Sequence, residues 1–84
     1  MTQDSTPKYT LAGTPKGEYI LYSPNNPDIE IGAKTVALLA SIVLGRGINA
    51  TLENTTIQNQ DTETRRALTQ IELGIFVEYS EALR

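Results

Sequence analysis

The sequence predicts an α+β fold in which an N-terminal antiparallel β-hairpin packs on two α-helices, and a third short strand remains an open alternative. Three observations support this fold class. A turn signal separates two stretches rich in strand formers, an apolar run near the middle has the length of a helix, and the C-terminal part has helical apolar spacing. We expect residues 1–7 to form a flexible tail and residues 8–84 to form one small domain.

The hairpin is predicted over residues 8–22. Lys8 to Ala12 alternates between polar and apolar residues, and Glu18 to Tyr22 is rich in strand formers. Between them, Thr14 to Gly17 has Pro second and Gly fourth, as a type I turn prefers. Because the second strand has apolar groups on both faces, we expect one face to pack on the helices and the other against a further surface.

The first helix is predicted to end at about Leu44, after a run from Val36 in which eight of nine residues are apolar. A helix that is apolar all round is expected to be buried on all sides, either in a core or between subunits. Its start has two interpretations: Asn26 caps it with Pro27 in the first turn, or Ile29 to Ile31 forms a strand and the helix starts at Gly32. Gly45 to Gly47 ends it.

Residues 48–60 are undecided between a strand, a loop and a helix extension. Ile48, Ala50 and Leu52 alternate with polar residues, which suits a short strand. The polar residues that follow indicate a loop, and Asn59 or Asp61 could cap the last helix.

The last helix is predicted over Thr62 to Leu83. Its apolar residues recur every three or four positions along one face: Leu68, Ile71, Ile75, Tyr79 and Ala82. Four further residues widen this face: Leu73, Phe76, Val77 and Leu83. The glutamates at 72, 78 and 81 are expected on the solvated side.

Self-association is predicted from the apolar helix, from a stripe of small residues on it, and from the apolar stripe from Leu68 to Ala82 on the last helix. The first stripe consists of small residues four positions apart, which allow another helix to approach closely: Ala33, Ala37, Ser41 and Gly45. Gly74 costs about 1 kcal/mol within a helix, and a close contact with this stripe would justify it. The residues predicted to mediate self-association are Ala37, Ser41, Ile71, Ile75 and Tyr79.

Composition excludes several classes of chemistry. The chain has no cysteine and no histidine, so it forms no disulfide and lacks the usual zinc ligands and Ser-His-Asp or Cys-His pairs. We therefore expect no enzyme activity, cofactor or metal.

A net charge of −3 argues against nucleic-acid binding. The apolar run is too short for a membrane span, which needs about 20 residues, and we expect a cytoplasmic protein.

The leading functional expectation is a small regulatory interaction protein that self-associates and binds a protein partner as an inhibitor, adaptor or assembly factor. The alternative is an oligomer that binds an anionic small molecule, such as a nucleotide, at a subunit interface. Five residues are the candidate ligand or partner contacts: Arg46, Arg65, Arg66, Tyr19 and Tyr22.

Overall fold

The computed structural model describes residues 8–84, so the tail predicted for residues 1–7 lies outside the described residues. In chain order the elements are β1 (Tyr9–Gly13), β2 (Tyr19–Ser23), β3 (Asn26–Ala33), α1 (Val36–Gly45), β4 (Thr55–Ile57) and α2 (Gln70–Ala82). The strands form one four-stranded sheet in the order β3-β2-β1-β4. β2 pairs antiparallel with β1 and β3, and β4 pairs parallel with β1. The predicted α+β class and its N-terminal hairpin are confirmed, and β3 supplies the third antiparallel strand.

The hairpin turn follows from local residue chemistry. The Gly17 amide donates to the Thr14 carbonyl over 3.0 Å, and the Thr14 hydroxyl accepts from the Glu18 amide over 3.1 Å. Gly17 has φ of 88°, in the left-handed region that glycine adopts without steric cost.

The start of α1 differs from both predicted alternatives. Asn26 begins β3 instead of capping a helix, and its side chain accepts from the Asp28 amide over 3.1 Å. The strand interpretation was therefore correct for this segment, but β3 runs past Gly32, since pairing with β2 satisfies its backbone. The helix begins only after Thr35, whose hydroxyl accepts from the Leu38 amide over 3.1 Å.

The core lies between one face of the sheet and the two helices. On the sheet side, Leu11, Leu21 and Ile31 are neighbours on adjacent strands and all three are buried. The helices contribute six buried apolar residues: Leu39, Ala40, Val43, Leu73, Phe76 and Val77. Because both helices pack on this one face, neither helix covers the opposite face of the sheet.

The core of one copy of the chain does not bury α1 on all sides, and burial between subunits stays a prediction. Leu39, Ala40 and Val43 are buried, whereas Leu38 is 47% exposed and Ser41 is exposed. The reason is the two-layer architecture, in which the sheet and α2 cover only part of the helix circumference.

The undecided segment contains β4 at Thr55–Ile57, and the alternation over Ile48 to Leu52 is not a strand. Ala50 is nonetheless buried, because this connection passes under the end of α2. The connection closes in a turn in which the Thr51 amide donates to the Asn54 side chain over 2.7 Å.

The prediction that the last helix begins at Thr62 is wrong, since α2 begins at Gln70. The carboxylate of Asp61 accepts from the Ala67 amide over 2.8 Å and does not cap a helix. Arg66 pairs with Gly13 through two backbone hydrogen bonds of 2.7 and 2.9 Å, which hold the chain extended beside the sheet.

The two helices begin at the same end of the sheet. α1 follows the end of β3 that pairs with Tyr19, and α2 follows Arg66, which pairs with Gly13 beside Tyr19. At the opposite end, Nη2 of Arg84 donates to the Ala50 carbonyl over 3.2 Å. The helices therefore run in the same direction, and their C-termini lie near each other.

Candidate interaction surface

The outer face of α2 carries large apolar side chains that the core does not use. The residues that α2 buries are Leu73, Phe76, Val77 and Ser80. On the opposite side, Ile71 is 75% exposed, Ile75 41% and Tyr79 45%. At about 3.6 residues per turn, these three side chains form one line along the helix. We call Ile71, Ile75 and Tyr79 the outer stripe.

The predicted single apolar face of the last helix is therefore two faces. Spacing placed the outer stripe and the core residues on one wide face, but the tertiary structure buries Leu73, Phe76 and Val77 and leaves Leu83 52% exposed. Of the remaining members, Leu68 is buried ahead of the helix and Ala82 is exposed at its end. The outer stripe thus lies where a second polypeptide chain can contact it.

One acidic side chain, Glu78, borders the outer stripe. Glu78 lines one surface depression together with Ile75, Tyr79 and Ala82, and Glu81 is exposed one turn further along. The helix contains three glutamates and no lysine or arginine. Sequence reasoning assigned these glutamates to the solvated side and missed the position of Glu78 beside an apolar surface. The signal was present, since Glu78 lies three positions after Ile75.

Glu72 has a different role from the other two glutamates. Its carboxylate accepts from the Thr69 amide over 3.1 Å, and the Thr69 hydroxyl accepts from the Glu72 amide over 3.3 Å. This reciprocal arrangement is a capping box, which stabilises the start of a helix. The motif Thr-x-x-Glu is visible in the sequence and would have placed the start of α2 correctly.

The predicted small-residue stripe on α1 is shorter than expected. Ala33 lies in β3, so only Ala37, Ser41 and Gly45 belong to the helix. Ser41 is exposed and Ala37 is half-buried. The predicted close contact at Gly74 is absent from residues 8–84, where no neighbouring atom lies within 4 Å of a Cβ built on it.

Arg65 lies on the face of the sheet that the helices leave uncovered. Its Cζ atom is 4.1 Å from the centre of the Tyr22 ring, a cation–π geometry. The Tyr22 hydroxyl in turn donates to the Gln58 side chain over 3.2 Å. Within residues 8–84, the buried Nε of Arg65 has no hydrogen-bond partner.

Arg66 lies on the other face, because neighbours in an extended segment point to opposite sides. Its Cζ atom is 5.9 Å from the centre of the Tyr19 ring. Arg46 caps the far end of α1, about 15 Å along the helix axis. The five candidate contacts therefore form two separate arginine–tyrosine pairs and one distant arginine.

Comparisons with protein-family models, with curated proteins and with solved structures gave no match. Across residues 8–84, no group of three or more acidic, histidine or cysteine side chains is arranged to hold a metal ion. In the same part of the chain, neither helix has the length and apolar character needed to cross a membrane.

Proposed function

We propose that this chain is a small, non-enzymatic interaction protein that binds another polypeptide chain through the outer stripe of α2. The observation that carries the proposal is the line of three large apolar side chains left in water after the core is complete. Removing apolar surface from water is favourable by about 25 cal/mol per Å², so a complex in which a partner covers this line is stabilised. Tyrosine, at one end of the line, is enriched in interfaces.

The proposed role is that of a regulatory inhibitor, adaptor or assembly factor. Its non-enzymatic character rests on composition, since a chain without histidine or cysteine lacks the commonest general base and thiol nucleophile. We propose the cytoplasm as its compartment, because a chain without cysteine does not depend on an oxidising environment.

Partner capture with a matched surface control tests the proposal. The wild type, Ile75→Ser and Leu52→Ser would be immobilised and exposed to extract of the source cells. Leu52 is 64% exposed and lies outside the helices, so its substitution removes similar apolar surface elsewhere. We expect a protein that the wild type and Leu52→Ser retain and Ile75→Ser loses. Retention of the same proteins by all three would refute binding through the outer stripe.

Self-association through the same stripe is the second candidate. Ile71 and Tyr79 each lie four positions from Ile75, so an antiparallel pair of α2 helices would place the two Ile75 side chains together. Antiparallel helix dipoles also attract each other. Sedimentation velocity over a concentration series tests this arrangement. A dimer that Ile75→Ser dissociates supports it, and a wild-type monomer at every concentration excludes it.

The anionic small-molecule alternative has less geometric support. It requires arginines and tyrosines gathered at one site, whereas Arg65 and Arg66 are directed to opposite faces of the sheet. Thermal denaturation with and without a nucleoside triphosphate tests it. A nucleotide-dependent rise in melting temperature that Arg65→Ala abolishes would support this alternative.

A further inference from the structure

We infer that the occupant of the outer stripe is a basic amphipathic segment of another protein, in preference to a second copy of this chain. The inference rests on the proposed function and specifies the partner's chemistry. It depends on the negative charges in the last turns of α2. We call Glu78 and Glu81 the acidic edge.

The acidic edge stands at the end of α2 where negative charge is least favourable. The C-terminus of a helix carries a partial negative charge, so cations stabilise it and carboxylates do not. Glu78 and Glu81 both lie within the last five residues of a helix that ends at Ala82. A cation supplied by a partner would therefore attract both the carboxylates of the acidic edge and the partial negative charge of the helix C-terminus.

The nearest cation in sequence, Arg84, is engaged elsewhere. Its Nε donates to the Ser80 carbonyl over 3.3 Å and its Nη2 to the Ala50 carbonyl over 3.2 Å. Ser80 and Ala50 are both buried, so these bonds direct the guanidinium toward the core side of the helix. Within the acidic edge, Glu78 lies beside the outer stripe and is left for an external cation.

A second copy would not supply that cation from α2. An antiparallel pair centred on Ile75 would bring two acidic edges into one interface, and α2 contains no lysine or arginine to oppose them. Like charges at an interface cost binding energy and act against the wrong partner. A basic partner meets the same carboxylates with opposite charge, so charge complementarity selects it.

The partner's pattern follows from the geometry of the stripe. Amphipathic helices bind apolar surfaces through anchors three or four positions apart. A matching helix would present such anchors to Ile71, Ile75 and Tyr79, with lysine or arginine along the side that faces the acidic edge.

Two synthetic helical peptides would test the inference with the whole 84-residue chain. Both carry leucines at alternating three- and four-residue spacing, and they differ only in flanking residues, which are lysine in one and glutamine in the other. Dissociation constants would be measured by isothermal titration calorimetry at low and high salt. The protein variants are Ile75→Ser, the double variant Glu78→Gln/Glu81→Gln and the double variant Asp28→Asn/Glu30→Gln.

The last variant is the matched control. Asp28 and Glu30 are exposed on β3, outside α2, and their substitution removes the same number of negative charges. We expect the lysine peptide to bind more tightly than the glutamine peptide. Neutralising the acidic edge should raise the dissociation constant of the lysine peptide about fivefold, in a salt-dependent manner. The β3 control should change this dissociation constant less than twofold.

Each outcome separates the charge inference from the proposed function. Equal binding of the two peptides, lost together in Ile75→Ser, overturns the charge inference and leaves protein binding by the stripe intact. A wild-type dimer that excludes both peptides identifies a second copy as the occupant and also overturns it. A lysine peptide that does not bind, or that binds Ile75→Ser as well as the wild type, refutes the inference, and the capture experiment then decides the proposed function alone.

Discussion

Substituting Gly13 by alanine would test the contact that holds residues 58–69 against the sheet. A Cβ at Gly13 would stand 2.6 Å from Nη2, 2.8 Å from Cζ and 2.9 Å from Nε of Arg66. The φ angle of Gly13 lies outside the left-handed region, so its backbone accepts alanine without strain. The effect of the substitution therefore comes from the guanidinium that must move.

The magnitude of the effect can be worked out from that movement. Displacing the guanidinium removes its contact with Tyr19, worth about 0.5–1 kcal/mol at an exposed site. An unfavourable new rotamer of Arg66 costs up to about 1.5 kcal/mol. Replacing glycine offsets about 0.4–1 kcal/mol by restricting the unfolded chain. We expect Gly13→Ala to lower the free energy of unfolding by about 1 kcal/mol.

The same substitution made in Arg66→Ala should have the opposite sign. The obstacle is then absent and only the unfolded-state term remains, so Gly13→Ala should stabilise the variant by about 0.4–1 kcal/mol. Urea unfolding of the wild type, both single variants and the double variant yields the coupling energy. A coupling energy within about 0.3 kcal/mol of zero would refute the reasoning.

Two further predictions concern α2. Thr69→Ala removes the capping box and should cost about 1 kcal/mol, seen as a melting temperature lower by about 4–8 °C, whereas Thr64→Ala, at an exposed position outside the helix, should leave it unchanged. Phe76→Ala empties a fully buried site and should cost about 3–5 kcal/mol in urea unfolding, whereas Ile75→Ser on the outer stripe should change stability by less than about 1 kcal/mol. The reverse order would mean that α2 buries its other face.

The elements predicted correctly are those whose signals are local. The turn at Thr14 to Gly17 is specified by proline and glycine at defined positions, and it forms as expected. The apolar run from Val36 forms α1, which ends at Gly45 as the Gly-Arg-Gly stop predicts. In each case the residues that specify the element are its own residues or their immediate neighbours.

The candidate site was predictable in part. Apolar spacing singled out Ile71, Ile75 and Tyr79 as one stripe, and the structure places them together on α2. Spacing placed Glu78 beside Ile75, but it did not show that this apolar surface stays exposed, because exposure depends on which side of α2 the sheet and α1 cover. The pairing of Arg65 with Tyr22 joins residues 43 positions apart in sequence, and no local pattern encodes it.

The sequence by itself determined the hairpin, the existence of both helices and the absence of histidine and cysteine chemistry, because these depend on residue identity and short-range order. Only the tertiary structure decided which face of α2 is buried and how the segment before it is held against the sheet. The backbone pairing of Arg66 with Gly13 joins residues 53 positions apart in sequence, and no local pattern encodes it. The sequence did not determine which face of α2 is buried, because apolar side chains lie on both sides of the helix. The sheet and α1 cover one side, with Phe76, and leave the outer stripe in water.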